Sequence, residues 1–571
     1  MAMASSVYQI IPLRRVPARF SVLDYDLPPT ARTPRLGEIV EIPFGKARIF
    51  GVVWAKGQSS SLQKFTRKPF QIHSEARYLT SQQCALVAWL AQETLTPLPV
   101  VAMGMLPTTT LATSKKTQNR TQYGILAGHL DERSRIIQKF SQQPLKSGTT
   151  IVFVPALGYA KTWQEHFGNA CMVVHGKLSD KQKLSLLAKA PRIVVTTHIG
   201  LTLPWQDIRH VVLDQADDDG YLAFDQAPRV DVRRAAQKLA EVFGAALTLI
   251  ARWQSPTLQG LFPDLKWRGQ AATSWTLIDR TGESGEQRRS PIAAGLLERI
   301  ETGRTLWFVN RSSAAGQLRC ADCDAVVGCP KCHLPLRVVD NGSVQMLVCQ
   351  KDNLRQMPPD ICPSCKGAKL SVQGKGVSTI AKELRSLLGQ EVDVVDAKQV
   401  PQDGKRQHVV STTAIANYPE QKFDRAIVVR TESFFTPGQY RGAEELHNAL
   451  ALARQHVSRQ GELFCQTFQP ETVEFQADPV VAARDAIGRK KLLYPPFGSL
   501  LLLQSRPKTS RVSPIPLPQE IFSQIPNAIP LGKRWMVRCS MKDRASILKT
   551  LREHLDDTWE AIVDPPRIPL D

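Results

Sequence analysis

The chain has 571 residues, 43% hydrophobic and 22% charged, a soluble-globular balance with length for about three to four domains. Its net charge of +21 favours polyanionic partners, because each phosphate neutralised by Lys or Arg releases counterions. No apolar run is long enough to span a membrane. The acid-poor stretch ahead of Asp24 would suit a transit peptide, but Val7–Pro12 reads as an apolar strand and no signal-peptide core or cleavage site is present; the expectation is a bacterial-type cytoplasmic protein without a membrane partner.

In chain order, residues 1–106 form a first, mostly β unit. Strands are expected at 7–11 and 37–42, a turn at Pro43-Phe44-Gly45-Lys46, and a return strand at 50–54. Residues 81–93 have helical apolar spacing with Ser81 as N-cap. Residues 107–121 are polar and basic and read as a linker, whose Lys115, Lys116 and Arg120 are either phosphate contacts or solvated charge. The next unit, 122–285, has short β-rich runs at 150–154, 192–196 and 210–213 alternating with helical stretches, the pattern of a parallel sheet covered on both faces. The unit 286–470 repeats it, with strands at 305–309, 391–395 and 425–429. A small α+β unit, 471–571, is interrupted by a proline-rich stretch at 505–518.

Seven of the 11 cysteines fall between Cys320 and Cys365. The pattern is Cys320-x-x-Cys323, Cys329-x-x-Cys332, Cys349-x-x-Asp352 and Cys362-x-x-Cys365. Each C-x-x-C knuckle places two thiolates on one tight turn, at the separation a tetrahedral ion requires; two knuckles complete a site, and four make two. The expected cofactor is Zn²⁺, as two ions, held by an insert spanning 318–368. Asp352 can ligate through oxygen; the alternatives are that it is a turn residue and that His333 supplies the fourth ligand, or that none does.

The chain resembles the primosomal protein N′ (PriA) family of replication-restart proteins in motifs that recur in the same order. Leu23-Asp24-Tyr25-x-x-Pro28 matches the family's Phe-Asp-Tyr-x-x-Pro, and Pro43-Phe44-Gly45-Lys46 with Gly51-Val52-Val53 is similar to its N-terminal domain. His175-Gly176-Lys177-Leu178-Ser179, Pro228-Arg229-x-x-x-Arg233, the cysteine insert, Tyr494-Pro495-Pro496-Phe497 and Val563-Asp564-Pro565-Pro566 follow. The resemblance implies a 3′-end DNA-binding domain, two RecA-like helicase lobes with parallel sheets, a zinc insert in the second, and a C-terminal domain. It implies that Cys320, Cys323, Cys362 and Cys365 hold one ion and Cys329, Cys332, Cys349 and Asp352 the other. It implies as partners forked DNA with a 3′ leading-strand end, primosome proteins and single-strand-binding protein. Candidate DNA contacts are Asp24, Lys46, Arg48, Arg229 and Arg233; Asp24 otherwise caps a turn, and Lys46 and Arg48 are otherwise solvated. Trp253 either stacks on a base or belongs to the core. The winged-helix domain usual in the family has no room in the linker.

An intact family member hydrolyses ATP, and three of the elements this needs are missing. The phosphate cradle G-x-x-x-x-G-K-[ST] is absent; where it should lie, Gly124 to Glu132 is short and ends on acidic residues that would repel phosphate. The second box reads Asp214-Gln215-Ala216-Asp217: Asp214 could still meet Mg²⁺, but Gln215 replaces the glutamate that orients the attacking water. Ala453 and His456 stand where arginines would stabilise the transferring phosphoryl group, a contribution worth roughly 10³–10⁵ in rate. These losses weigh against ATP and Mg²⁺ as working cofactors. The expected function is a DNA-binding restart scaffold without ATPase or helicase activity; the alternative is an active ATP-dependent 3′–5′ helicase with an unrecognised nucleotide site.

Overall fold

A computed structural model of the chain describes residues 6–568 outside 58–68, 110–120, 143–147, 311–316, 332–335, 341–344, 350–353, 397–405, 472–478, 506–520 and shorter stretches of up to three residues. The linker residues Lys115, Lys116 and Arg120, and the ligand candidates Cys332, His333 and Asp352, lie outside the described residues.

The N-terminal sheet is antiparallel, in the order Leu23–Asp26, Val7–Pro12, Ala47–Lys56, Ile39–Phe44. Gly45 turns the last two strands at φ +61°, a conformation that costs glycine nothing. The helix Ser81–Thr94 follows. Its N-cap is Thr80 rather than Ser81: the Thr80 hydroxyl accepts from the Gln83 amide at 3.1 Å, and the Gln83 side chain accepts from the Thr80 amide at 2.9 Å. This reciprocal box needs Gln or Glu three residues after the cap, which Thr80 has and Ser81 lacks. The apolar face of the helix joins the sheet to the next unit, in one cluster running from Ile11, Val52, Leu86 and Leu90 to Leu203, Trp205 and Val211.

The first lobe is a seven-stranded sheet in the order Trp267–Gln270, Gln122–Ala127, Ala246–Ala251, Ile208–Asp214, Thr149–Phe153, Ile193–Thr196, Cys171–Val174, with every pairing parallel. The strands Ala246–Ala251 and Ile193–Thr196 are buried along their whole length, as helices on both faces require. The second lobe is a six-stranded parallel sheet in the order Thr276–Asp279, Val457–Thr467, Phe423–Val428, Thr305–Phe308, His408–Ser411, Val392–Val395. Its edge strand Thr276–Asp279 precedes the boundary expected at 285: four residues that look like the end of the first unit pair with Phe464 to Thr467 instead. Strand exchange of this kind has no local signature, because a parallel partner lies far along the chain.

The cysteine insert carries a five-stranded antiparallel sheet running from Gln317 to Gln373, with a small core of Leu318, Val327, Leu336, Val338 and Leu347. The C-terminal unit is a four-stranded antiparallel sheet covered by the helix Arg544–His554. Among the described residues, no helix is long and apolar enough to cross a membrane.

One helix, Gly442–His456, is buried along its whole length although it carries Glu444, Glu445, His447, Asn448, Arg454, Gln455 and His456. It lies at the junction of the two lobes, where Val152, Val154 and Trp163 of the first share a core with Phe308, Leu446, Leu450 and Ala453 of the second. Its polar residues must therefore find partners inside the protein.

Candidate metal centre and the buried charges of the lobes

The sulfurs of Cys320, Cys323, Cys362 and Cys365 all lie within 4.8 Å of one another. Cys320 and Cys365 approach to 3.6 Å and Cys323 and Cys362 to 3.7 Å. Four ligands about 2.3 Å from a tetrahedral ion stand about 3.8 Å apart, so the set has the dimensions of a closed Cys₄ site. The knuckle geometry also presents backbone N–H groups to the sulfurs, from Asp322 to Cys320 at 3.4 Å and from Gly367 to Cys365 at 3.4 Å. Such bonds stabilise thiolate and fix its orientation. The inner knuckle begins in the same way: the Lys331 amide donates to Cys329 at 3.5 Å, and Cys329 and Cys349 are both buried.

A buried arginine meets the carboxylate that closes the strand Ile208–Asp214 in the first lobe. Asp214 ends its strand with its carboxylate fully buried. Arg133 spans it, with Nε 2.9 Å from Oδ1 and Nη2 2.5 Å from Oδ2, and Trp163 Nε1 adds a third donor at 2.7 Å. The guanidinium is completed by the Thr162 hydroxyl at 3.0 Å and the Tyr159 carbonyl at 2.8 Å, and it lies over the Tyr159 ring. Both oxygens of Asp214, the carboxylate expected to meet Mg²⁺, are thus engaged by a cation the protein supplies. Arg133 belongs to the helix Leu130–Gln142, which begins where a phosphate cradle would end and carries Asp131 and Glu132 in its first turn.

The other degenerate positions are buried, though Gln215 Nε2 and His456 Nε2 have no hydrogen-bond partner among the described residues. Gln215 is buried at φ +58°, and its side-chain oxygen accepts from Gln455 across the lobes at 3.3 Å. Asp217 accepts from Arg252 Nε at 2.6 Å and from its amide at 2.8 Å. Asp217 and Asp218 flank the Arg252 guanidinium and hold it charged, against the cost of burial. Ala453 offers no donor. His456 is buried with Nδ1 2.9 Å from the Gln421 carbonyl, and burial lowers its pKa to about 4, so it is no cation at neutral pH.

Burial does the same to His210 and His408, each lowered to about 4. A histidine depressed in the fold takes up its proton first in the unfolded chain, so stability is full above about 6.5 and falls as pH drops towards about 4. The melting temperature should decline through that window. A flat profile between pH 7 and 4.5 would contradict the burial of these rings.

The expected DNA contacts divide. Lys46 and Arg48 are exposed at the Gly45 turn, with Arg48 donating to the Gln71 side chain at 2.8 Å. Asp24 is buried in its strand. Arg233 is corrected: it is fully buried, paired with Asp231 at 2.7 Å and donating to the Ala216 carbonyl at 3.1 Å, so it cannot reach a phosphate. Arg229 is engaged by Glu560 of the C-terminal unit at 2.6 Å. Trp253 is core: its Nε1 donates to Asn448 at 2.9 Å and its ring lies 4.8 Å from His447.

Sequence reading missed Arg133 and Glu444. One signal was present for the first. Leu130, Arg133 and Ile137 recur at helical spacing on one buried face, and a charge on such a face needs a buried partner.

Comparison with known proteins accords with the N-terminal architecture. Residues 12–107 match the family model of the PriA 3′DNA-binding domain (3′BD). The chain is 24% identical over 386 residues to the replication restart protein PriA of Chlamydia trachomatis, covering 59% of this chain and 50% of that one. It is 22% identical over 413 residues to the PriA of Synechocystis sp. (63% and 49%) and 23% identical over 482 residues to that of Haemophilus influenzae (74% and 65%). The chain thus spans about half the length of the first two relatives. With residues 12–107 matched to that domain and partial matches at 22–24% identity, the chain is similar to the replication restart proteins in its N-terminal domain and along part of its length.

Proposed function

We propose that this chain binds forked DNA carrying a 3′ leading-strand end, and supports replication restart as a scaffold that does not hydrolyse ATP. The observation that carries the second half is the Arg133–Asp214–Trp163 contact: the carboxylate that would hold Mg²⁺ is saturated inside the protein. The N-terminal domain match, the PriA relatives and the net charge of +21 support the first half. The four outer cysteines hold Zn²⁺, and the inner set, with Cys329 and Cys349, holds a second ion. Primosome proteins and single-strand-binding protein are the partners this role calls for, in the cytoplasm of a bacterium.

The test is ATP hydrolysis by the zinc-loaded protein with and without a fork bearing a 3′ leading end, alongside a thermal melt with Mg·ATP. A ligand at about 100 times its Kd stabilises a fold by about 2.7 kcal/mol, so a working site would raise the melting temperature. We expect no turnover, no thermal shift, and fork binding that weakens steeply with salt. DNA-stimulated turnover abolished by Asp214→Asn would sink the scaffold reading and favour the active helicase.

A further inference from the structure

A chain can lose ATP hydrolysis and still hinge between its lobes. Here the contacts between the lobes are direct and buried. Glu444, on the fully buried helix of the second lobe, has no exposed surface. Its Oε1 accepts from the Thr257 amide of the first lobe at 3.1 Å. Its Oε2 accepts from the Thr257 hydroxyl at 2.8 Å, from Arg441 of its own lobe at 3.2 Å, and from Arg489 of the C-terminal unit at 2.8 Å. One carboxylate thus ties three bodies together. Burial alone would raise its pKa, but Arg441, Arg489 and the Thr257 hydroxyl outweigh that and hold it below the ordinary carboxylate range.

Further bonds lie around it. Asp219 of the first lobe accepts from Arg441 at 2.6 Å and from Asn448 at 3.3 Å, and Asn448 also receives Trp253. Gly158 sits so close to the Asn417 backbone that an added Cβ would lie 2.2 Å from its carbonyl oxygen. The C-terminal unit reaches on to the N-terminal domain, where Arg544 meets Glu93 at 2.6 Å.

We propose that Glu444 locks the two lobes into one block, with the C-terminal unit as the strut through Arg489, so that neither nucleotide nor forked DNA parts them. A hinge would have to withdraw Thr257 from Glu444 and Arg441 from Asp219, leaving charged groups short of partners inside the protein. The lobes then serve as a fixed frame that sets the spacing between the N-terminal domain and the cysteine insert.

Hydrogen exchange on the full-length, zinc-loaded protein tests this. In the unaltered chain, Gly442–His456 and Pro256–Leu261 should exchange as slowly as the sheet strands, with no acceleration by Mg·ATP or forked DNA. Glu444→Gln removes the carboxylate that Arg441 and Arg489 share, leaving them, among the described residues, only Asp219 and Asp485 respectively. It should accelerate exchange in those two segments and in Pro479–Leu492 together by roughly two to three orders of magnitude, while Thr149–Phe153 and Phe423–Val428 stay protected. Thr257→Val, which removes one hydroxyl donor, should accelerate the same segments by about tenfold and carries the test if Glu444→Gln does not fold. Acceleration of Pro256–Leu261 by nucleotide or DNA in the unaltered chain overturns the lock, as does unchanged exchange in Thr257→Val. ATP turnover with an unmoved exchange pattern would sink the scaffold reading and leave the lock standing.

Discussion

Arg133→Met should lower the melting temperature by roughly 6–20 °C. Arg133 and Asp214 are both essentially inaccessible to solvent, so removing the cation strands a carboxylate that keeps Trp163 as its one remaining side-chain donor. Breaking a buried pair costs about 3–5 kcal/mol, mostly from the charge left behind. The double substitution Arg133→Met with Asp214→Leu removes both charges and should regain most of the loss, a non-additivity that a double-mutant cycle reads directly. Arg133→Lys should rescue poorly, because one ammonium cannot bridge both Asp214 oxygens while also reaching Thr162 and the Tyr159 carbonyl. None of the three should acquire ATPase activity, since freeing Asp214 supplies no phosphate cradle. An Arg133→Met protein melting within a degree of the parent would mean that the pair does not hold the first lobe.

The second large effect concerns the insert. Structural zinc contributes an apparent free energy of about 10–16 kcal/mol in small metal-bound modules. Among the described residues the core of the insert is five buried aliphatic side chains beneath a short-stranded sheet. A strong chelator, or Cys362→Ser, should therefore unfold residues 317–373 while leaving both parallel sheets intact. Metal analysis should find at least one ion per chain before treatment, and acid should release it as thiolates protonate. Proteolysis confined to the insert after chelation is the expected readout. A metal-free protein whose insert resists protease as well as the native one would rule out a structural ion.

For Arg233 and Asp214 the sequence shows the position, one after a Pro-Arg step and the other at the end of an apolar strand, but not the surroundings. Arg233 instead closes on Asp231 and the Ala216 carbonyl, and Asp214 on an arginine 81 residues earlier. The Thr80 cap and the early strand Thr276–Asp279 differ in scale. The first was a one-residue choice that the Gln83 partner decided, and the second an edge strand whose partner follows nearly two hundred residues later.

What the sequence by itself determined is everything carried by local pattern. The β-rich runs placed the lobe strands, and each C-x-x-C spacing placed two sulfurs on one turn. Each depends on residues a few positions apart, where backbone periodicity alone fixes geometry. Only the tertiary structure decided which partner each buried charge takes. Arg133 with Asp214, Thr257 with Glu444 and Arg489 with Glu444 are separated by 81, 187 and 45 positions. A buried charge must be matched, but the chain brings the match from wherever the fold passes, and no periodicity records it.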